Sequence, residues 1–130
     1  MPRIYLVGKN ELLEQKFTGK RNFELLKDDE YGKADMYKLK EQRKHIDFKT
    51  KMTEIVKKSL ENVRQCEFTI VYLDSYKIDE DTMCKIMYSY MLSKAVYIVY
   101  DGRLEDLHDW VLNFSRGVYL TPESLLEDLK

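Results

Sequence analysis

Two stretches in the second half of the chain decide the fold: Phe68-Thr69-Ile70-Val71-Tyr72-Leu73 and Ala95-Val96-Tyr97-Ile98-Val99-Tyr100. Each is a short, near-continuous apolar run rich in β-branched and aromatic residues, without the alternation of a half-exposed strand. Such runs read as strands buried on both faces, the condition of a parallel sheet covered by helices. The segment between them agrees. A polar loop from Asp74 to Asp81 is followed by Met83, Cys84, Met87 and Met91 at helical spacing, with Ile86 and Tyr90 alongside. Upstream, Met52, Ile55, Val56, Leu60 and Val63 alternate with Lys57, Lys58, Glu61 and Arg64, which predicts an amphipathic helix over Thr50 to Gln65.

The remaining segments extend this alternation. Ile4 to Val7, closed by Gly8, reads as a buried first strand and a tight turn. Leu104, Leu107 and Val111 make a helical face, and Val118-Tyr119-Leu120 a last short strand. Thr121-Pro122-Glu123 has the hydroxyl cap, early proline and early acid of a helix start. Lys9 to Lys49 stays open: Phe23-Glu24-Leu25-Leu26 fits a strand or a helical turn, and Ala34 to Lys44 an exposed helix. Strand and helix in turn build an α/β parallel sheet with helices on both faces. Ligands of such sheets bind at the carboxyl ends of the strands. The loops gathered there are Gly8-Lys9-Asn10, Asp74 to Asp81 and Asp101-Gly102-Arg103.

Composition bounds the function. The 130 residues suit one domain spanning 1–130. With 22 Lys and Arg against 23 Asp and Glu, the net charge of −1 supplies no overall positive field for nucleic acid. The cluster Lys38, Lys40, Arg43 and Lys44, interrupted by Glu41, reads as a solvated helix face. No apolar run approaches the ~20 residues of a membrane span, and the start lacks a signal-peptide pattern, so a cytoplasmic protein is expected. Cys66 and Cys84 lie in helical apolar patterns and are expected to be reduced and buried. Their spacing and that of His45 and His108 match no zinc motif, so neither metal nor cofactor is expected. Tyr72, Tyr88, Tyr90, Tyr97 and Tyr100 suit core packing with hydroxyls at the rim, and the methionine stripe a core or a subunit interface.

The segment from Cys66 to Val96, with the first strand Ile4 to Gly8, resembles the nucleoside 2-deoxyribosyltransferases and their relatives that cleave deoxynucleoside 5′-monophosphates. The likeness covers the first strand and roughly Thr50 onward. Thr82 takes the family's threonine position, Lys94-Ala95-Val96 matches its Lys-Pro-Val, Asp101 matches the acid beyond, and Asn113 an asparagine near the carboxyl end. The resemblance implies a three-layer, flavodoxin-like or Rossmann-like fold, a nucleoside, nucleotide or related ribosyl ligand, and a homo-oligomer. It implies that Asp79 occupies the place of an acid handling the leaving base, and that Tyr5, Gly8 and Asp74 lie at the ligand; core packing is the other reading of Tyr5. The family's nucleophile, a glutamate early in the helix, attacks C1′ of the sugar. Here that position holds Lys85.

An ammonium cannot replace that glutamate, because a transition state with oxocarbenium character needs an anion beside the anomeric carbon. If catalysis persists, Asp79 with a relocated Glu80 or Asp81 carries N-glycosidic cleavage or base exchange. If it does not, Lys85 is either a cation in a degenerate binding pocket or a solvent-facing partner of Asp81. A reading from another class is an interaction protein without a small-molecule site, using apolar surface around Trp110 and Phe114.

Overall fold

The computed structural model describes residues 2–8, 11–18, 23–28, 41 and 45–129. In chain order the elements are β1 (Arg3–Val7), α1 (Glu11–Thr18), β2 (Glu24–Lys27), α2 (His45–Gln65), β3 (Phe68–Tyr72), α3 (Glu80–Met91), β4 (Ala95–Val99), α4 (Asp109–Phe114), β5 (Gly117–Tyr119) and α5 (Pro122–Asp128). A single 3-10 turn spans Leu104–Asp106. The five strands are all parallel, in the order β2-β1-β3-β4-β5. Of the segment left open by sequence, Glu24–Lys27 is a strand, while the exposed helix expected over Ala34 to Lys44 and its basic cluster lie outside the described residues, Glu41 excepted.

Strand pleating sends successive side chains to opposite faces, and the two faces have separate cores. Tyr5, Val7, Val71 and Ile98 pack with Val63 of α2, Ile86 of α3 and Val111 of α4. Ile4, Leu6, Ile70 and Val99 pack with Leu13 and Phe17 of α1 and Leu125 of α5. This is why the central positions of β1, β3 and β4 are almost all apolar: all are buried except the partly exposed Tyr97, and Thr69 is the one polar residue among them. The fold is the three-layer α/β parallel sheet that the alternation predicts.

Three local expectations are corrected. α2 begins at His45 and not at Thr50. Leu104 stands in the 3-10 turn and is exposed, so it shares no helical face with Leu107 and Val111, which are buried. In α3, Cys84, Met87 and Met91 face outward, and the buried positions are Lys85, Ile86 and Ser89. Of the methionine stripe only Met83 packs against the core, Met87 and Met91 do not, and Cys84 is an exposed thiol. Cys66 is buried as expected; burial pushes its thiol up, and it donates to the Val63 carbonyl at 3.1 Å.

Candidate functional site

The register aligns the carboxyl ends of the three strands that matter. Leu6 stands opposite Lys27, and Val7 opposite Val71. The chain then leaves β1 through Gly8, whose φ is +92° and whose missing Cβ would lie 2.5 Å from the Tyr72 carbonyl oxygen. Only glycine adopts that backbone at that distance. The close approach leaves a cavity of about 480 Å³ between the ends of β1, β2 and β3. It lies where the strand order reverses direction between β1 and β3, the place at which open α/β sheets bind ligands.

Five elements supply its walls. β1 gives Leu6, Val7 and Gly8; the end of β2 gives Lys27 and Asp28; Tyr72, Leu73 and Asp74 close β3; and α3 with its preceding loop contributes Lys77, Asp79, Asp81, Thr82 and Lys85. Glu14 of α1 completes it and pairs with Lys27 at 3.3 Å. Asp79 is the N-cap of α3, accepting from the Thr82 amide at 2.7 Å, which satisfies an amide that the helix leaves unpaired.

At the base of the cavity is a charged cluster. Lys85 Nζ donates to Asp28 Oδ2 at 2.5 Å and to Asp81 Oδ2 at 2.6 Å. Its side chain is only 10% exposed, against 25% for Asp28 and 52% for Asp81. Asp28 also accepts from the Tyr5 hydroxyl at 2.6 Å, Ser59 Oγ at 3.0 Å and Asn62 Nδ2 at 3.4 Å. Burial alone raises a carboxyl and lowers an ammonium. Here the hydrogen bonds win in both: those from Lys85 and Tyr5 hold the Asp28 carboxyl below its ordinary range, and those to Asp28 and Asp81 hold Lys85 above its own. Burial and the Asp28 carboxylate push the Tyr5 phenol far up, keeping it a protonated donor.

Lys85 is the sixth residue of α3, beyond the first turn, so the dipole penalty of a cation at the extreme amino end does not fall on it. It pairs with Asp81, yet it is buried and lines the cavity rather than facing solvent. Tyr5 satisfies both of its readings, with its ring in the core and its hydroxyl on Asp28.

Of the residues singled out by sequence, Gly8, Asp74, Asp79, Asp81 and Lys85 line one cavity, and Tyr5 stands directly behind it. Glu80, Asp101 and Asn113 are exposed and do not line it. Asn113 borders a second, shallower groove with Tyr90, Lys94, Phe114 and Arg116. Sequence reasoning missed Asp28, Ser59 and Asn62. Asp28 carried a usable signal: if Phe23 to Leu26 is a strand, the acid follows its carboxyl end, where sites form. Among the described residues, no three His, Cys, Asp or Glu side chains group as a metal site, and no helix is long and apolar enough to cross a membrane.

By sequence, no protein-family model and no curated protein matches the chain. By structure, several solved proteins do. A conserved protein from Enterococcus faecalis V583 superposes with a TM-score of 0.62 at 16% identity, covering 99% of this chain and 97% of its own. A 2-deoxyribosyltransferase from Bacillus psychrosaccharolyticus gives 0.63 at 16% identity, over 95% of this chain and 89% of the other. A CMP N-glycosidase from Clostridium botulinum gives 0.53 at 12% identity, over 98% and 97%. The chain thus has the fold of a deoxyribosyltransferase and an N-glycosidase over nearly its full length, the fold that the resemblance of its sequence implied.

Proposed function

We propose that the protein binds a nucleoside, nucleotide or related ribosyl molecule in the cavity between the ends of β1, β2 and β3, and that it does not form a glycosyl-enzyme intermediate. The observation that carries this reading is the Lys85 ammonium, buried between Asp28 and Asp81 at the cavity base. An oxocarbenium-like transition state needs an unencumbered carboxylate beside C1′. Of the lining carboxylates, Asp28 and Asp81 bind the Lys85 ammonium, Glu14 pairs with Lys27 and Asp79 caps α3, so that within α3 and its cap none stands clear; Asp74 lies on the loop after β3. The fold shared with the transferase and the glycosidase supports a ribosyl ligand; the cluster supports binding without cleavage.

The test is a thermal-shift screen of the purified protein against pooled nucleosides, deoxynucleosides and their monophosphates, with calorimetry on any hit. A ligand that raises the melting temperature of the wild type and not of Gly8→Val, whose side chain meets the Tyr72 carbonyl, is the expected result. No shift with any pool contradicts the reading.

A second reading has its own observation. Tyr90, Met91 and Trp110 are 48%, 70% and 63% exposed, and the Tyr90 and Phe114 rings lie 4.8 Å apart, forming an apolar patch on α3 and α4. Such a patch is a protein-contact surface in kind, and it suits the homo-oligomer that the resemblance implies. Sedimentation of the wild type beside Trp110→Asp distinguishes this: a loss of oligomer in the variant supports it, and a monomeric wild type removes it.

A further inference from the structure

We infer that the groove at the amino end of β4, at the opposite end of the strands from the cavity, takes an acidic segment of a partner protein. The inference rests on the contact character of the apolar patch on α3 and α4, not on self-association, and it names the partner's chemistry. Tyr90 and Met91 reach the groove from the last turn of α3, Lys94 from the approach to β4, and Phe114 and Arg116 from the end of α4 and the link to β5. Together they enclose about 460 Å³. Lys94 and Arg116 line this groove and no Asp or Glu does. Its lining falls in 90–96 and 113–116, inside the continuously described run 45–129. In a chain of net charge −1, the groove is a local site of positive sign.

The two cations differ in what holds them. Lys94 Nζ donates to the Cys66 carbonyl at 2.7 Å and the Arg64 carbonyl at 3.3 Å, at the carboxyl end of α2. Those bonds fix the ammonium in place without a carboxylate to neutralise it. The Arg116 side chain is exposed and has no hydrogen-bond or ion-pair partner among the described residues. A guanidinium in that state matches a carboxylate, which it binds through two parallel N–H donors. Beside it the Tyr90 and Phe114 rings stand 4.8 Å apart, and Trp110 packs edge-on against Phe114 at 6.0 Å. Trp, Tyr and Arg carry most of the energy of protein contacts. The fitting partner therefore lays an apolar side chain on the rings and flanks it with carboxylates for Arg116 and Lys94. A second copy presenting the same surface would set these cations against their own equivalents, and like charges oppose that contact. Nucleic acid calls for a longer basic track than two cations in a chain without net positive charge.

The experiment selects random dodecapeptides displayed on phage against the immobilised full chain. Synthetic copies of the enriched peptides are then titrated by fluorescence anisotropy, with decathymidylate alongside. The expected peptides carry several Asp or Glu around an aromatic residue or leucine, and their binding weakens as salt is added. Arg116→Glu should lose about tenfold or more in affinity, and Tyr90→Ser should weaken binding without changing its salt dependence. Since the Arg116 side chain holds nothing else among the described residues, Arg116→Glu should melt with the wild type, which checks its fold. Peptides that bind Arg116→Glu as tightly as the wild type overturn this inference and leave the contact reading standing. Decathymidylate that binds as tightly as the peptides, and is lost in the same variant, overturns it in favour of a nucleic-acid site. A wild type that sediments as an oligomer and enriches no peptide overturns it in favour of self-association. A monomeric wild type that enriches none overturns this inference and the contact reading together.

Discussion

One nitrogen atom organises the site. Lys85 Nζ sits 2.5 Å from an oxygen of Asp28 and 2.6 Å from one of Asp81, and the two contacts are far from equal in energy. Asp81 is half exposed, so its attraction is screened, and pairs of that kind contribute about 0–1 kcal/mol. Asp28 is three-quarters buried and also holds Tyr5, Ser59 and Asn62. Removing one member of a buried pair strands the other, at about 3–5 kcal/mol. Asp28→Ala should therefore destabilise by several kcal/mol in urea unfolding and Asp81→Ala by no more than about 1; equal losses would refute this ranking. The pH dependence has a definite sign. The Asp28 carboxyl is lowered by folding, so its contribution is complete above about pH 4 and is lost as pH falls through the folded-state value. Lys85 is raised, so its contribution is complete below about pH 10 and is lost only as pH climbs beyond. The melting-temperature gap between wild type and Asp28→Asn should thus be constant near neutrality and shrink below about pH 4. The role of Lys85 was half legible in sequence, since Asp81 lies one helical turn before it. Asp28 was legible only through the choice of a strand for Phe23 to Leu26, which four residues among dense charges do not decide, and its pairing with a lysine 57 positions on leaves no trace in spacing.

At the scale of elements, α3 carries most of the site. Its start is fixed by Asp79, and the cap separates geometry from charge. Asp79→Ala should cost about 1 kcal/mol of stability, while Asp79→Asn, which can still accept the Thr82 amide, should stay within a few tenths. An equal loss in both would mean that the charge matters and not the cap. The sheet-facing side of α3 is threaded with polar groups: Ser89 Oγ donates to the Lys85 carbonyl at 2.8 Å and lies 3.0 Å from Thr69 Oγ1 of β3. Both hydroxyls are fully buried, so Ser89→Val, which leaves Thr69 without this partner, should cost about 1–3 kcal/mol. A neutral effect in urea unfolding would contradict that. This thread also explains why the helix was found in the sequence and its inward face was not. Periodicity counts apolar residues as core, and here the sheet-facing positions hold Lys85 and Ser89 while Met87 and Met91 face water. The strands posed no such problem, since β3 and β4 are apolar on both faces.

At the scale of the molecule, parallel strands in the order β2-β1-β3-β4-β5 gather the loops at one edge and open a crevice between β1 and β3. Five of the residues read from sequence converge there because they follow strand ends or open α3, and strand ends are what alternation locates. Asp101, which follows the end of β4 one strand away from the crevice, and Asn113, placed by resemblance alone, lie outside that cavity. The fold is shared with a deoxyribosyltransferase and an N-glycosidase, but fold alone does not fix activity. The most direct test is to incubate the protein, at a concentration equal to that of the substrate, with the nucleosides and monophosphates that it binds, and to follow free base by chromatography and mass spectrometry. The account expects bound ligand to be recovered intact. Base release that disappears in Asp79→Asn or Asp81→Asn would contradict it, by showing that a carboxylate works in this cavity despite Lys85.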